Sequence, residues 1–181
     1  MSSNECIIPE CYIDSCLVEV LLFAGRNHVN HQKGNGTVTK LMKEKFSNEF
    51  CVGIIDEDRR DLDYLKEFNL KIETVGLKLW EYKALAKNCH FIVQLKPAIE
   101  QWIINICDSS TISLATFNLP YEIQSLKQIS KSKESKNDIR FINPFKEMLR
   151  KECYEVIKLK SWLENLKKEK HSADINKLIN G

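Results

Sequence analysis

A chain of 181 residues, 43% of them apolar, can bury one core of real size, so a single domain with an appendage is expected. No apolar stretch approaches the roughly 20 residues that cross a bilayer, and the polar start Met1-Ser-Ser-Asn-Glu5 lacks a signal peptide's basic and apolar regions, which makes a cytoplasmic protein the expectation. The formal net charge of +2 hides an asymmetry: residues 1–120 carry 13 Lys and Arg against 16 Asp and Glu, residues 121–171 carry 13 against 8, and such a basic tail suits either a polyanion or a solvated helical surface.

In chain order, Cys6-Ile-Ile-Pro-Glu10 reads as a short strand ending in a carboxylate. Tyr12 to Ala24 follows with Ile13, Leu17, Val20 and Leu21 at helical spacing, and Asp14 stands in its first turn, either as a helix cap or as a site carboxylate. His28 to Gln32 is predicted as a second strand. Gly34-Asn-Gly36 then turns into a helix from Thr37 to Phe46, and this turn either is a tight bend or offers backbone N–H groups to a phosphate beside Lys33; it lacks P-loop spacing.

Cys51-Val-Gly-Ile-Ile-Asp-Glu-Asp58 is the most informative stretch. Its apolar run predicts a buried strand whose end carries Asp56 and Asp58 on one side of a sheet edge, where open α/β sheets place their ligands. Two carboxylates about 4 Å apart repel by roughly 4 kcal/mol at an effective dielectric near 20, so they call for a proton or a hard cation between them. Leu62 to Phe68 is predicted as a short helix, Leu77 to Tyr82 and His90 to Leu95 as strands. Pro97 suits the first position of the next helix, which puts Glu100 in its opening turn and Ile99, Trp102, Ile103 and Ile106 on its core face.

Beyond that helix, Tyr121 to Gln128 is moderately periodic and Ser130 to Asn137 reads as a polar loop. Asn143-Pro144 reads as a cap and first position for a long helix carrying Phe145, Met148, Leu149, Val156, Leu159, Leu163 and Leu166, a stripe that packs on the sheet or serves a partner. The seven cysteines form no Cys-x-x-Cys pair and the histidines are not at zinc spacing, so reduced cysteines are expected and zinc is not.

Glu10, Asp14 four residues on, and the strand ending Asp56-Glu-Asp58 resemble the Toprim domain, the topoisomerase-primase nuclease fold. Leu77-Lys-Leu-Trp-Glu-Tyr82 and His90-Phe-Ile-Val-Gln-Leu-Lys-Pro97-Ala-Ile-Glu100-Gln-Trp102 resemble the later part of the small bacterial Toprim proteins related to the OLD nucleases and to RloB. The similarity covers about residues 5–107. Cys11 stands where many Toprim proteins have Gly. The resemblance implies an α/β fold with a mostly parallel sheet flanked by helices, a catalytic domain over residues 1–118 and a helical extension over 119–181.

It further implies Glu10, Asp14, Asp56, Asp58 and Glu100 as catalytic residues, the first four as ligands of magnesium or manganese, and Lys33, Arg59 and Arg60 as contacts to nucleic acid, DNA first. The expected chemistry is metal-assisted phosphodiester hydrolysis, with Glu10 as a ligand or as general acid or base. A role in defence against foreign DNA, oligomerisation and a separate ATPase subunit belong to the same implication, since the chain has no Walker motif of its own. The alternative is a non-catalytic binding or regulatory subunit that docks through the basic tail; phosphatases and nucleotidyl transferases also use such carboxylates.

Overall fold

The computed structural model describes residues 6–22, 29–57, 62–83 and 90–180. Within them the apolar runs become five strands: β1 (Ile7–Pro9), β2 (Cys51–Asp56), β3 (Phe68–Glu73), β4 (Leu77–Tyr82) and β5 (His90–Leu95). Seven α-helices flank them: α1 (Tyr12–Leu21), α2 (Asn35–Glu44), α3 (Ile99–Ser109), α4 (Ile123–Ser130), α5 (Ile139–Arg150), α6 (Tyr154–Glu169) and α7 (Ile175–Asn180). The protein is an α/β molecule, and none of its described helices is long and apolar enough to cross a membrane.

The sheet runs β1-β2-β5-β4-β3 and is mixed. Its β1, β2 and β5 are parallel, whereas β4 is antiparallel to both β5 and β3. The expectation of a mostly parallel sheet therefore holds for one half only. The cause is the short link between β3 and β4, which Thr74 closes by donating its N–H to the Leu77 carbonyl; two strands joined so tightly can pair only as a hairpin.

Alternation along the strands sends side chains to two cores. Ile7, Val52, Ile54, Leu77, Leu79, Phe91, Val93 and Leu95 face a large cluster shared with α1, α3 and the C-terminal helices. Ile8, Cys51, Ile55 and Ile92 face a smaller one under α2. There Gly53 is required: a Cβ at that position would lie 2.7 Å from Met42 Sδ and 3.1 Å from Val38 Cγ1, so α2 rests directly on the strand backbone.

Several local expectations shift. The predicted second strand is no strand in residues 29–32, and His28 lies outside the described residues; instead Asn30 and Gln32 donate to the Ile7 and Pro9 carbonyls, covering the otherwise open edge of β1. Leu62 to Phe68 holds only a 3-10 turn over Asp63–Glu67. The Ser130–Asn137 segment, expected as a polar loop, folds as a 3-10 turn over Lys133–Asn137 against α1, with Ser135 buried and Lys136 Nζ 3.1 Å from Glu19. Pro144 lies inside α5 instead of opening a helix, because Asp138 starts that helix earlier by accepting from the Arg140 N–H. The long C-terminal stripe is split between α5 and α6 at Glu152, whose φ of +52° is left-handed. Both halves enter the large core, where Phe145, Met148, Val156, Leu159, Leu163 and Leu166 are fully buried.

Candidate active site

Parallel pairing of β1 with β2 places Pro9 beside Ile54, so Glu10 leaves its strand next to Asp56. The Glu10 N–H donates to the Ile54 carbonyl at 2.9 Å, and the Asp56 N–H donates to Glu10 Oε2 at 3.0 Å. Two carboxylates separated by 46 residues thus meet at the carboxyl end of the parallel strands. Asp56 has the same parity on β2 as Val52 and Ile54, which turns it toward α1 and α3.

Asp56 there does a second job. The first residue of α3 is preceded by Ala98, which has no side-chain acceptor, and Asp56 Oδ1 accepts the Ile99 N–H at 2.9 Å. The strand end caps the helix in place of a local residue, and the positive end of α3 faces the cluster. Pro97 correspondingly precedes the cap instead of occupying the first helical position, while Glu100 remains in the first turn, 6% exposed, with one oxygen accepting from Ser130 Oγ.

Asp14 sits at the third position of α1. It forms a capping box with Cys11: the Cys11 N–H donates to Asp14 Oδ2 at 3.0 Å, and the Asp14 N–H donates to Cys11 Sγ at 3.4 Å. Capping thus occupies one carboxylate oxygen and leaves the other. Asp14 is 0% exposed, and its Oδ1 has no hydrogen-bond partner.

The electrostatic result is a strained acidic cluster. Burial, together with the charges of Glu10 and Glu100, pushes the Asp14 carboxyl up to about 8 against the opposing hydrogen bonds from Cys11. Burial, then the charges of Asp14, Glu10 and Glu100, hold Asp56 well above the usual carboxylate range. Burial and Asp14 also push the Cys11 thiol up, so it stays protonated and is no thiolate nucleophile.

No protein-family model, curated protein or solved structure matches this chain. The site is therefore read from its own chemistry. An all-carboxylate oxygen set suits a hard divalent cation, and the orphaned Asp14 Oδ1 is the kind of buried acceptor such an ion satisfies. Yet among the described residues no group of three or more His, Cys, Asp or Glu is gathered so as to hold a metal ion. Glu10, Asp14, Asp56 and Glu100 each turn one oxygen to a protein donor.

Of the residues expected from sequence, Glu10, Asp14, Asp56 and Glu100 come within electrostatic reach of one another. Asp58, Arg59 and Arg60 lie outside the described residues. Lys33 is exposed just before Gly34, whose N–H donates to the Glu10 carbonyl at 3.2 Å, so the Gly34-Asn-Gly36 turn adjoins the Glu10 corner. Gly34 has φ +89° at the cap of α2, as a tight turn requires. Sequence reasoning missed Cys11 as the partner that orients Asp14 and Ser130 as the partner of Glu100. It also missed His31, which stacks on Tyr12 with ring centroids 4.0 Å apart and has Nδ1 3.2 Å from Ser15 Oγ. A serine thirty residues from its acceptor carries no local signal.

Proposed function

We propose that this chain is a magnesium- or manganese-dependent nuclease of the Toprim type, hydrolysing phosphodiester bonds of nucleic acid. What supports the reading is one observation above the rest: Glu10 and Asp56 meet at the strand ends beside a wholly buried Asp14 whose Oδ1 has no partner. Burying that much acidity is unfavourable unless something positive joins it.

Glu10, Asp14 and Asp56 are assigned to hold the cation, with Asp58 as the further ligand expected from sequence. A bound divalent ion supplies a Lewis acid for phosphoryl oxygens. Asp14, whose carboxyl burial pushes up, would ligate a divalent ion as the carboxylate, its proton passing to solvent, so that cation affinity would rise with pH. As the alternative to ligating the ion, Glu10 is the group assigned to take or return a proton during water attack. Lys33, with Arg59 and Arg60, is assigned to orient the substrate phosphates as point charges and forks. The end of α3, capped by Asp56, directs its dipole at the same anion.

The test is a manganese-supplemented cleavage assay on single-stranded, double-stranded and supercoiled DNA and on RNA, with Glu10→Gln as control. Equal activity in the chain and the control removes the catalytic assignment. A second reading, a non-catalytic nucleic-acid-binding or regulatory subunit of an ATPase-containing complex, is favoured by the Cys11–Asp14 capping box, which gives Asp14 a purely structural use. Metal ions separate the two, since a ligand bound only by the folded state raises its melting temperature. A nuclease is stabilised by manganese and the scaffold is not.

A further inference from the structure

The lysines of the C-terminal third include two clusters, which the fold sends to opposite ends of the sheet. Lys167 and Lys170, at the end of α6 and just beyond it, act electrostatically on Cys6, which precedes β1 and lies about 13 Å of extended chain away from Glu10. Lys127, Lys131, Lys133 and Lys136 belong instead to α4 and the 3-10 turn after it, the turn that packs against α1.

Three observations set this second cluster beside the carboxylates. Ser130 Oγ, at the end of α4, donates to Glu100 Oε1. Lys136 Nζ is 3.1 Å from Glu19 Oε1 of α1. Burial lowers the His31 pKa, and the charges of Lys136 and Lys33 act in the same direction, so the turn after α4 borders the segment from His31 to Gly34, whose last N–H donates to the Glu10 carbonyl.

The groups left over in residues 127–136 are of one kind. Ser130 is engaged by Glu100, Ser132 Oγ donates to Glu134, and Ser135 Oγ donates to the Ser130 carbonyl at 2.7 Å. Lys131 and Lys133 are exposed and Lys127 is half-buried, and none of the three makes an ion pair among the described residues. No aromatic residue interrupts the segment. A buried acidic cluster repels a phosphate backbone, and unpaired ammonium groups at its border offset that repulsion.

We infer that Lys127, Lys131 and Lys133 form with Lys33 a track for the phosphates of double-stranded DNA, leading the backbone past Glu10, Asp14 and Asp56, an assignment that rests on the nuclease reading above. Ammonium groups meet phosphates as point charges, so the track is blind to sequence. With no ring on which an unpaired base could stack it favours a duplex over a single strand, and with no unengaged serine hydroxyl it has nothing to read the 2′-OH by which duplex RNA is recognised.

The test is fluorescence anisotropy of a short labelled DNA duplex with the full chain in EDTA, at stepped salt. Replacing the three lysines together (Lys127→Gln, Lys131→Gln, Lys133→Gln) is expected to weaken binding about tenfold or more and to lower the salt slope by about 2 to 3, at roughly 0.9 per lost phosphate contact. The single reversal Lys131→Glu weakens binding in the same direction, whereas the far-end pair Lys168→Gln, Lys170→Gln leaves affinity and slope as they are. No duplex binding by the unaltered chain, unchanged binding in the triple variant, an equal loss in the far-end pair, or tighter binding to a single strand or to duplex RNA would overturn the assignment. None of these readings needs metal or cleavage. Duplex binding that depends on the three lysines in a chain inert with manganese would end the nuclease reading and keep the DNA track; manganese-dependent cleavage with unaltered binding in the triple variant would do the reverse.

Discussion

The two ends of β5 and its neighbour β2 bury polar groups in opposite ways. At the start of β5, His90 has Nε2 2.9 Å from the Phe46 carbonyl and 3.1 Å from the Glu49 carbonyl, while Nδ1 lies 2.6 Å from the Tyr64 hydroxyl. Two carbonyl acceptors place the hydrogen on Nε2, so Nδ1 accepts from Tyr64 and the ring is complete as a neutral group. Burial lowers the His90 pKa from its ordinary value and keeps it so. At the far end, Asp14 retains an orphan oxygen and like charges gather around it. The histidine finds all its partners within the chain, whereas Asp14 leaves one acceptor unpaired, which the proposed cation would satisfy.

The sharpest way to break that comparison is activity. Under single-turnover conditions with manganese, Glu10→Gln and Asp56→Asn are each expected to lower cleavage by more than about a hundredfold, the scale of lost metal-assisted chemistry. Both replacements keep an oxygen for the Asp56 and Ile99 N–H groups, so the fold is expected to persist by circular dichroism. Unchanged cleavage would put both polar clusters in the structural class.

Next comes pH. The folded-state pKa of Asp14 is raised from 3.8 to about 8, so the folded chain binds this proton more tightly than the unfolded one. The associated stability is present in full below about pH 4 and is lost as pH climbs through about 8, a fall on the order of a few kcal/mol. Urea unfolding of the metal-free chain at stepped pH is expected to show that decline, Asp14→Asn to reduce it to the part that Asp56 contributes, and manganese to oppose it. A flat profile in the unaltered chain would contradict the buried repulsion.

At the satisfied end, His90→Ala is expected to cost about 2–3 kcal/mol by loss of three contacts and creation of a cavity, and Tyr64→Phe about 1 kcal/mol by leaving Nδ1 unpaired, both read by urea midpoints. Neither is expected to change manganese-dependent cleavage per folded molecule, since both lie at the other end of the strands. The smallest effect is at Lys33. Lys33→Ala is expected to weaken nucleic-acid binding uniformly across sequences and to reduce the salt slope by about one, measured by fluorescence anisotropy.

Much of this contrast was visible in the sequence because it rests on periodicity. Short runs such as Cys51–Ile55 and His90–Leu95 announce buried strands, and a carboxylate directly after such a run must emerge at the strand's end, which is how Glu10 and Asp56 were found. Glu100 was found by its place in a first helical turn. The Asn143-Pro144 cap was misread because Asp138, five residues earlier, offers a carboxylate to the Arg140 N–H, and local propensity cannot rank two adjacent start signals. The mixed sheet was missed because apolar runs do not encode strand direction.

By itself the sequence determined which segments would be buried and which acidic side chains would stand at their ends, since alternation and helical spacing are properties of consecutive residues. Only the tertiary structure decided that Asp56 would cap α3 across 43 residues, that Ser130 would hold Glu100, and that Asp14 would keep one oxygen unpaired. Those outcomes depend on which distant groups remain unsatisfied once the core has closed, and buried hydrogen-bonding capacity is settled by the whole packed arrangement, not by neighbours along the chain.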